Sequence, residues 1–252
     1  MHLLQDKMDK IIKSLICGLF LLVSVTLQAH DTYVVCVGIS NYENISSLLL
    51  PQADAVSIAE LYKVHTRNVS VMTGKYATRS AILKECEAMF SRADKGDMIV
   101  FSFSGHGFQG GLCPYDMEED GANGLLYEDI QKIMRYSKAT RKVIMADACF
   151  SGGLRIGDLG EESHSHGDSN IVLFLSSRSG ELSQESLFMK NGVFTTYLLR
   201  GLRGGADSNG DRKISAKEIF SFVSRNVRQK TGNRQHPVMW GNFDDDFIFM
   251  QW

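Results

Sequence analysis

The chain has 252 residues, 44% of them hydrophobic and 22% charged, with a formal net charge of -2. That length and apolar share suit one globular domain with a sizeable core, and no low-complexity tract marks a linker or a second domain. No run of Lys and Arg interleaved with aromatics occurs, which argues against nucleic acid as a partner.

The N-terminus reads as a targeting segment. Lys7, Lys10 and Lys13 precede the apolar stretch Ser14–Leu27, and Ala29 offers a small residue at a cleavage point. A secretory signal peptide is therefore expected over residues 1–29, with the mature domain over 30–252. The competing reading is a transmembrane anchor, but the apolar stretch is shorter than the roughly 20 residues that span a bilayer. Export to the periplasm or the medium follows as an expectation, with no membrane association after cleavage. Without Cys17 the mature chain keeps Cys36, Cys86, Cys113 and Cys149. Their spacing resembles no compact disulfide framework, so at most one pair is expected and Cys149 should stay free.

Along the mature chain, apolar runs alternate with amphipathic stretches. "TYVVCVGI" (residues 32–39) predicts a strand, "DAVSIAELYKV" (54–64) a helix and "VSVMT" (69–73) a strand. A helix with Ser80 as its cap follows over 80–93, then a strand over 97–105, a helix over 125–137 and a strand over 141–148. After a polar loop from Leu154 to Ser169 come a strand over 170–177, helices over 193–202 and 215–228, and a last strand over 246–250. Strands separated by helices predict an α/β fold, with a mainly parallel sheet covered by helices on both faces.

In open parallel sheets, sites lie beyond the carboxyl ends of strands. Two predicted strands end in reactive residues: "FSFSGHG" carries His106 and "VIMADAC" carries Cys149. With one helix crossover between them, adjacent strands would bring both to one edge, as thiol catalysis requires. A free cysteine thiol has a pKa of about 8.5, so a neighbouring imidazole that takes its proton raises reactivity at neutral pH. Gly105 and Gly107 let the chain turn sharply, so that the Gly107 and Cys149 amides can face a developing oxyanion. The plainer readings are a buried filler cysteine and a turn histidine.

The linked motifs resemble those of the caspase-like cysteine proteases, within them the metacaspases and their bacterial relatives. The caspase pattern Gln-Ala-Cys-x-Gly stands here as Asp147-Ala148-Cys149-Phe150-Ser151-Gly152, with His106 upstream; aspartate in place of glutamine is the metacaspase variant. The likeness continues through "VVCVGISNY", "PQADAVSIAELY", "FLSSRSGELSQES" and "GVFTTYLLRGLRGGAD". It implies a three-layer sandwich around a mainly parallel sheet of about six strands. It also implies His106 as general base and acid, Cys149 as the thioester-forming nucleophile, and Gly107 with Cys149 as oxyanion donors. Asp54, Ser104 and Asp147 match positions that line the metacaspase pocket for the residue before the cleaved bond.

Two carboxylates in a partly desolvated pocket favour a guanidinium or ammonium group, so protein or peptide substrates with Arg or Lys before the cut are expected. The Ser-Trp-Arg stretch with which caspases hold aspartate is missing, and the comparable region carries Glu185. For Asp147 the bland alternative is a strand-end capping carboxylate, and for Asp54 a helix N-cap.

No cofactor is required by this chemistry. Calcium is raised by two acidic groups, although an aspartate that the family places after the nucleophile is Ile156 here, with Asp158 nearby. Asp116, Glu128 and Asp129 sit where relatives hold the ion. Asp207, Asn209, Asp211, Ser215 and Glu218 follow the ligand spacing of an EF-hand loop, but Arg212 replaces its central glycine; the alternative is a polar turn whose Ser215 caps a helix. His164 and His166 fall in the polar loop without a third zinc ligand, and Arg155 there would suit self-processing. Two other functions share the motifs: an inactive interaction module of the same fold, and a transpeptidase using the same His106–Cys149 dyad.

Overall fold

The computed structural model describes residues 30–108, 110–148, 171–178, 189–241, 243–244 and 247–252. The segment expected to be a signal peptide lies outside them. At the centre is a sheet of six strands in the order β10-β8-β7-β3-β1-β2. These are β1 (Thr32–Gly38), β2 (Val69–Thr73), β3 (Met98–Gly105), β7 (Arg141–Ala148), β8 (Ile171–Leu175) and β10 (Val238–Gly241). Every neighbouring pair is parallel except β10 with β8.

Side chains alternate between the two faces of a strand, and here both faces are apolar. Val35, Phe101, Ile144 and Leu173 point to one side, where helices α2 (Arg79–Phe90) and α3 (Tyr127–Tyr136) cover them with Ile82, Phe90, Ile130 and Met134. Val34, Val100, Val143 and Val172 point to the other. There α1 (Pro51–Lys63), α4 (Val193–Arg200) and α5 (Ala216–Lys230) supply Ile58, Phe194, Leu198, Ile219 and Val223. Burial on both faces is why the central strands read as continuous apolar runs rather than as alternation. Phe174 on β8 meets Phe194 edge to face, with centroids 5.0 Å apart and planes at 82°, and Phe220 lies 6.2 Å away, so α4 and α5 share one aromatic anchor on the sheet.

Helix boundaries differ from expectation where local chemistry decides them. α1 begins at Pro51 rather than Asp54, because proline suits the first helical turn, whose N–H groups lack helical partners. Asp54 therefore sits one turn inside α1, buried, and is not its cap. In α2 the cap is Thr78, whose hydroxyl accepts from the Ala81 amide at 3.3 Å; Ser80 is the second helical residue and exposed. Thr78→Ala is expected to cost about 1 kcal/mol, against less than about 0.5 kcal/mol for Ser80→Ala, in paired urea titrations. Ser215 does cap α5, in a reciprocal box with Glu218.

Short strands escaped periodicity. β4 (Gly107–Phe108), β5 (Gly111–Leu112) and β6 (Leu125–Leu126) form a separate small sheet just past the end of β3. The last strand, β11 (Ile248–Gln251), starts later than expected and pairs with β9 (Lys213–Ser215) outside the main sheet. Edge strand β10 had no counterpart in the sequence reading, since four residues are too few for a period-two pattern to register. Among the described residues no helix is long and apolar enough to cross a membrane.

Candidate active site

The β3–β7 ladder pairs Ser104 with Asp147 and Gly105 with Ala148. The next residue along each of these two adjacent strands is His106 on one and Cys149 on the other. Cys149 itself lies outside the described residues, as do Arg155, Ile156, Asp158, His164, His166 and Glu185.

His106 is held from both its backbone and its ring. Its N–H donates to the Tyr42 hydroxyl at 2.7 Å, and the two rings tilt at 43° with centroids 5.1 Å apart. Gly105 is needed for this approach, because a Cβ there would lie 2.5 Å from the Tyr42 hydroxyl. The imidazole Nε2 lies 2.9 Å from the Ser46 carbonyl oxygen and 3.4 Å from its hydroxyl. A carbonyl oxygen can only accept, so Nε2 carries the proton. In the neutral ring Nδ1 is then the bare nitrogen, free to take a proton, and none of the described residues hydrogen-bonds it.

Gly107 pairs with Leu112 across β4 and β5, while the Cys113 N–H donates to the His106 carbonyl at 2.9 Å. That pattern makes Gly107 and Leu112 a non-hydrogen-bonded pair, whose own N–H and C=O groups turn away from each other's strand. β4 is an edge strand of its small sheet, so the Gly107 N–H points away from β5.

Ser104 and Asp147 share a register position and project to the α1/α4 face, because Val100 and Val143, four residues before them on each strand, do so. There they meet Asp54. Its Oδ2 accepts from the Ser104 hydroxyl at 2.8 Å, and its Oδ1 from the Gly192 amide and the Asn191 side-chain amide, each at 3.0 Å. Asp147 Oδ2 accepts from the Thr195 hydroxyl at 2.8 Å and the Thr195 N–H at 3.2 Å. The start of α4 thus supplies amides to both carboxylates, the favourable end of a helix for negative charge. Gly192 sits between them: a Cβ on it would come 2.6 Å from Asp147 Oδ2 and 3.2 Å from Asp54 Oδ2.

Asp54 and Asp147 are only 3% and 8% exposed. Burial, and then the neighbouring Asp147 charge, push the Asp54 carboxyl well above the usual aspartate range, against the bonds from Ser104, Asn191 and Gly192. Asn191, Gly192 and Thr195 were not singled out in the sequence. The Asn-Gly dipeptide before an apolar run does signal a helix start, but nothing local says that this start meets α1 and β7.

Most members of the other two acidic groups have partners within the protein; among the described residues the Glu128 side chain has none. Asp116 accepts from the Arg79 N–H at 2.8 Å, and Asp129 accepts from the Arg79 guanidinium at 2.8 Å and the Leu126 N–H at 3.2 Å. In the loop with EF-hand spacing, Asp207 accepts from the Gly210 and Arg212 amides, and Arg212 takes the left-handed conformation that a glycine would have had. Burial pushes the Glu218 carboxyl up, but the combined bonds from Ser215 and Ser208 outweigh it and pull the carboxyl down to about 2. Among the described residues no group of three His, Cys, Asp or Glu side chains is placed to hold a metal ion. Cys36, Cys86 and Cys113 are buried and unbridged.

A profile of the caspase domain matches residues 32–248, nearly the whole described chain. The chain belongs to the caspase domain family. Members of this caspase family are cysteine peptidases. Two solved structures are similar: a protein from Geobacter sulfurreducens, with a TM-score of 0.66 and 20% identity over 88% of this chain and 97% of that one, and caspase-1 from Spodoptera frugiperda, with a TM-score of 0.66 and 14% identity over 88% and 90%. At such identities the likeness is one of fold, the caspase-like three-layer sandwich. A comparison with curated protein sequences finds no match.

Proposed function

We propose that this caspase-family chain is an exported endopeptidase, periplasmic or secreted, that cuts protein or peptide substrates after Arg or Lys. The observation that carries the reading is the β3–β7 register, in which His106 and Cys149 each follow the last paired step, Gly105 with Ala148, two residues beyond Ser104 and Asp147.

The proposed chemistry runs through His106 and Cys149. His106 Nδ1 takes the Cys149 thiol proton, and the thiolate attacks the substrate carbonyl carbon. The Gly107 and Cys149 amides hold the oxyanion. Collapse of this intermediate expels the amine, which takes its proton from the His106 imidazolium, and leaves a thioester. Water, deprotonated by His106, then hydrolyses the thioester and frees Cys149. No cofactor enters these steps.

Asp54 and Asp147 receive the basic side chain, and Ser104 orients Asp54. Because the raised Asp54 carboxyl holds a proton more tightly than an ordinary aspartate, a bound guanidinium, which favours the carboxylate, must release that proton. The KM for an arginine peptide is expected to rise as pH falls through the raised Asp54 value. Calorimetry of an arginyl ligand in buffers of different ionisation enthalpy should register proton release; heats independent of buffer would contradict the account. The stability effect has the same origin: below the ordinary aspartate pKa the group costs nothing, and its destabilisation grows as pH rises towards the raised folded-state value.

Peptides ending in Arg, Lys or Asp before a fluorogenic leaving group test the assignment, with chelator and with Cys149→Ala as controls. Turnover of the basic peptides alone, retained with chelator and lost in the variant, is expected. Turnover of the Asp peptide, or turnover that survives Cys149→Ala, would refute it.

A further inference from the structure

The β7–β8 ladder stops short of the nucleophile. Its last registered pair is Ala146 with Leu175, and its last backbone bond runs from the Ser176 N–H to the Ala146 carbonyl at 2.9 Å. Ala148, one peptide bond before Cys149, has lost β8 as a backbone partner on that side. A buried, unpaired backbone group is costly, and here a side chain meets the need. The Ser176 hydroxyl lies 3.2 Å from the Ala148 N–H, from which it accepts, and 3.2 Å from the Ala148 carbonyl, to which it donates. One hydroxyl thus replaces both missing ladder bonds.

Ser176 is itself tied down from the far side of the fold. The Gln235 side-chain amide donates to the Ser176 carbonyl at 2.9 Å. Gln235 is anchored in turn, its N–H donating to the Thr231 hydroxyl at 3.2 Å, and that hydroxyl donates to the Val227 carbonyl of α5 at 2.9 Å. Ser176 and Gln235 are completely buried, and Thr231 nearly so. Bonds in such a place are strong, because water cannot substitute for a lost partner.

We infer that Ser176, braced by Gln235, is a positioning residue that fixes the strand end bearing the nucleophile, so that the Cys149 sulfur is held for proton transfer to His106. The inference rests on the peptidase reading for its kinetic consequence, but its geometry concerns only the end of β7 and the residues just after β8 and α5. A hydroxyl that merely filled space would influence stability alone. One that sets the backbone before Cys149 influences the rate of the chemical step, since a misplacement of about 1 Å can cost about 100-fold.

The test uses Ser176→Ala, Ser176→Thr and Gln235→Met in the full chain, with thermal melting as a folding check. Two readouts are needed: kcat and KM on an arginine peptide, and the pH profile of Cys149 alkylation by iodoacetamide, located by peptide mass mapping. Buried Cys36, Cys86 and Cys113 will label slowly in the folded protein. Ser176→Ala should lower kcat by about 10-fold or more with KM little changed, and should move the alkylation profile. Ser176→Thr, which keeps the hydroxyl, should restore both readouts, and Gln235→Met should show a weaker form of the same pattern. A folded Ser176→Ala protein with wild-type kcat and alkylation profile overturns the inference and leaves the peptidase reading untouched. Should Ser176→Ala fail to fold, the outcome rests on Gln235→Met: an altered alkylation profile supports the inference and an unaltered one overturns it. A wild-type protein inactive on every peptide, yet with an alkylation profile that Ser176→Ala shifts, overturns the peptidase reading and keeps the positioning.

Discussion

His106→Ala is expected to lower kcat on an arginine peptide by about 100- to 10,000-fold, the range lost with a general base, while KM changes little. The substitution removes the ring proposed to take the thiol proton and to protonate the leaving amine. It does not remove the backbone bond from residue 106 to the Tyr42 hydroxyl, so the turn after β3 should persist and the melting temperature should move little. His106→Gln makes the same point more sharply, because an amide can still donate to the Ser46 carbonyl but cannot accept a proton at neutral pH. Stopped-time assays on both variants, with the folded fraction checked by melting, decide this. Near-wild-type kcat in either would mean that some other group activates the thiol.

Asp147→Asn should lower kcat/KM for arginine peptides by about 30-fold or more, as expected when one partner of a buried charge pair is neutralised. The change is nearly isosteric, and an asparagine oxygen can go on accepting from both Thr195 donors. Structure should therefore survive while the charge proposed to attract a guanidinium is lost. A second effect distinguishes loss of charge from general damage. The Asp147 charge helps to hold the Asp54 carboxyl high, so its removal should lower the pH at which the remaining activity falls off. A variant with full arginine selectivity would place the basic side chain elsewhere.

Much of the fold was legible because it is built from long, strongly patterned elements. The apolar runs around Val100 and Ile144 could only be strands buried on both faces, and the helices between them made parallel connections the natural choice. The adjacency of the β3 and β7 ends, one residue before His106 and Cys149, was legible for the same reason, since a strand's last residues and its sheet edge are one signal. The small β4–β5–β6 sheet was not, because two-residue strands carry no periodicity, although it sets the direction of the Gly107 N–H. Asn191, Gly192 and Thr195 were missed for a different reason: each is an ordinary helix-start residue, and its meaning appears only when α4 docks against α1 and β7. The EF-hand spacing shows the opposite case, in which a ligand pattern and a capping box use the same Ser215 and Glu218.

The central claim, a Cys149–His106 dyad facing an acidic pocket, is tested most directly by mass mapping after treatment with an arginyl chloromethyl ketone and, in parallel, its aspartyl counterpart. The account predicts one stoichiometric arginyl adduct on Cys149, greatly slowed in His106→Ala and Asp147→Asn, and no aspartyl adduct. Labelling of another residue, or equal labelling by both reagents, would contradict it.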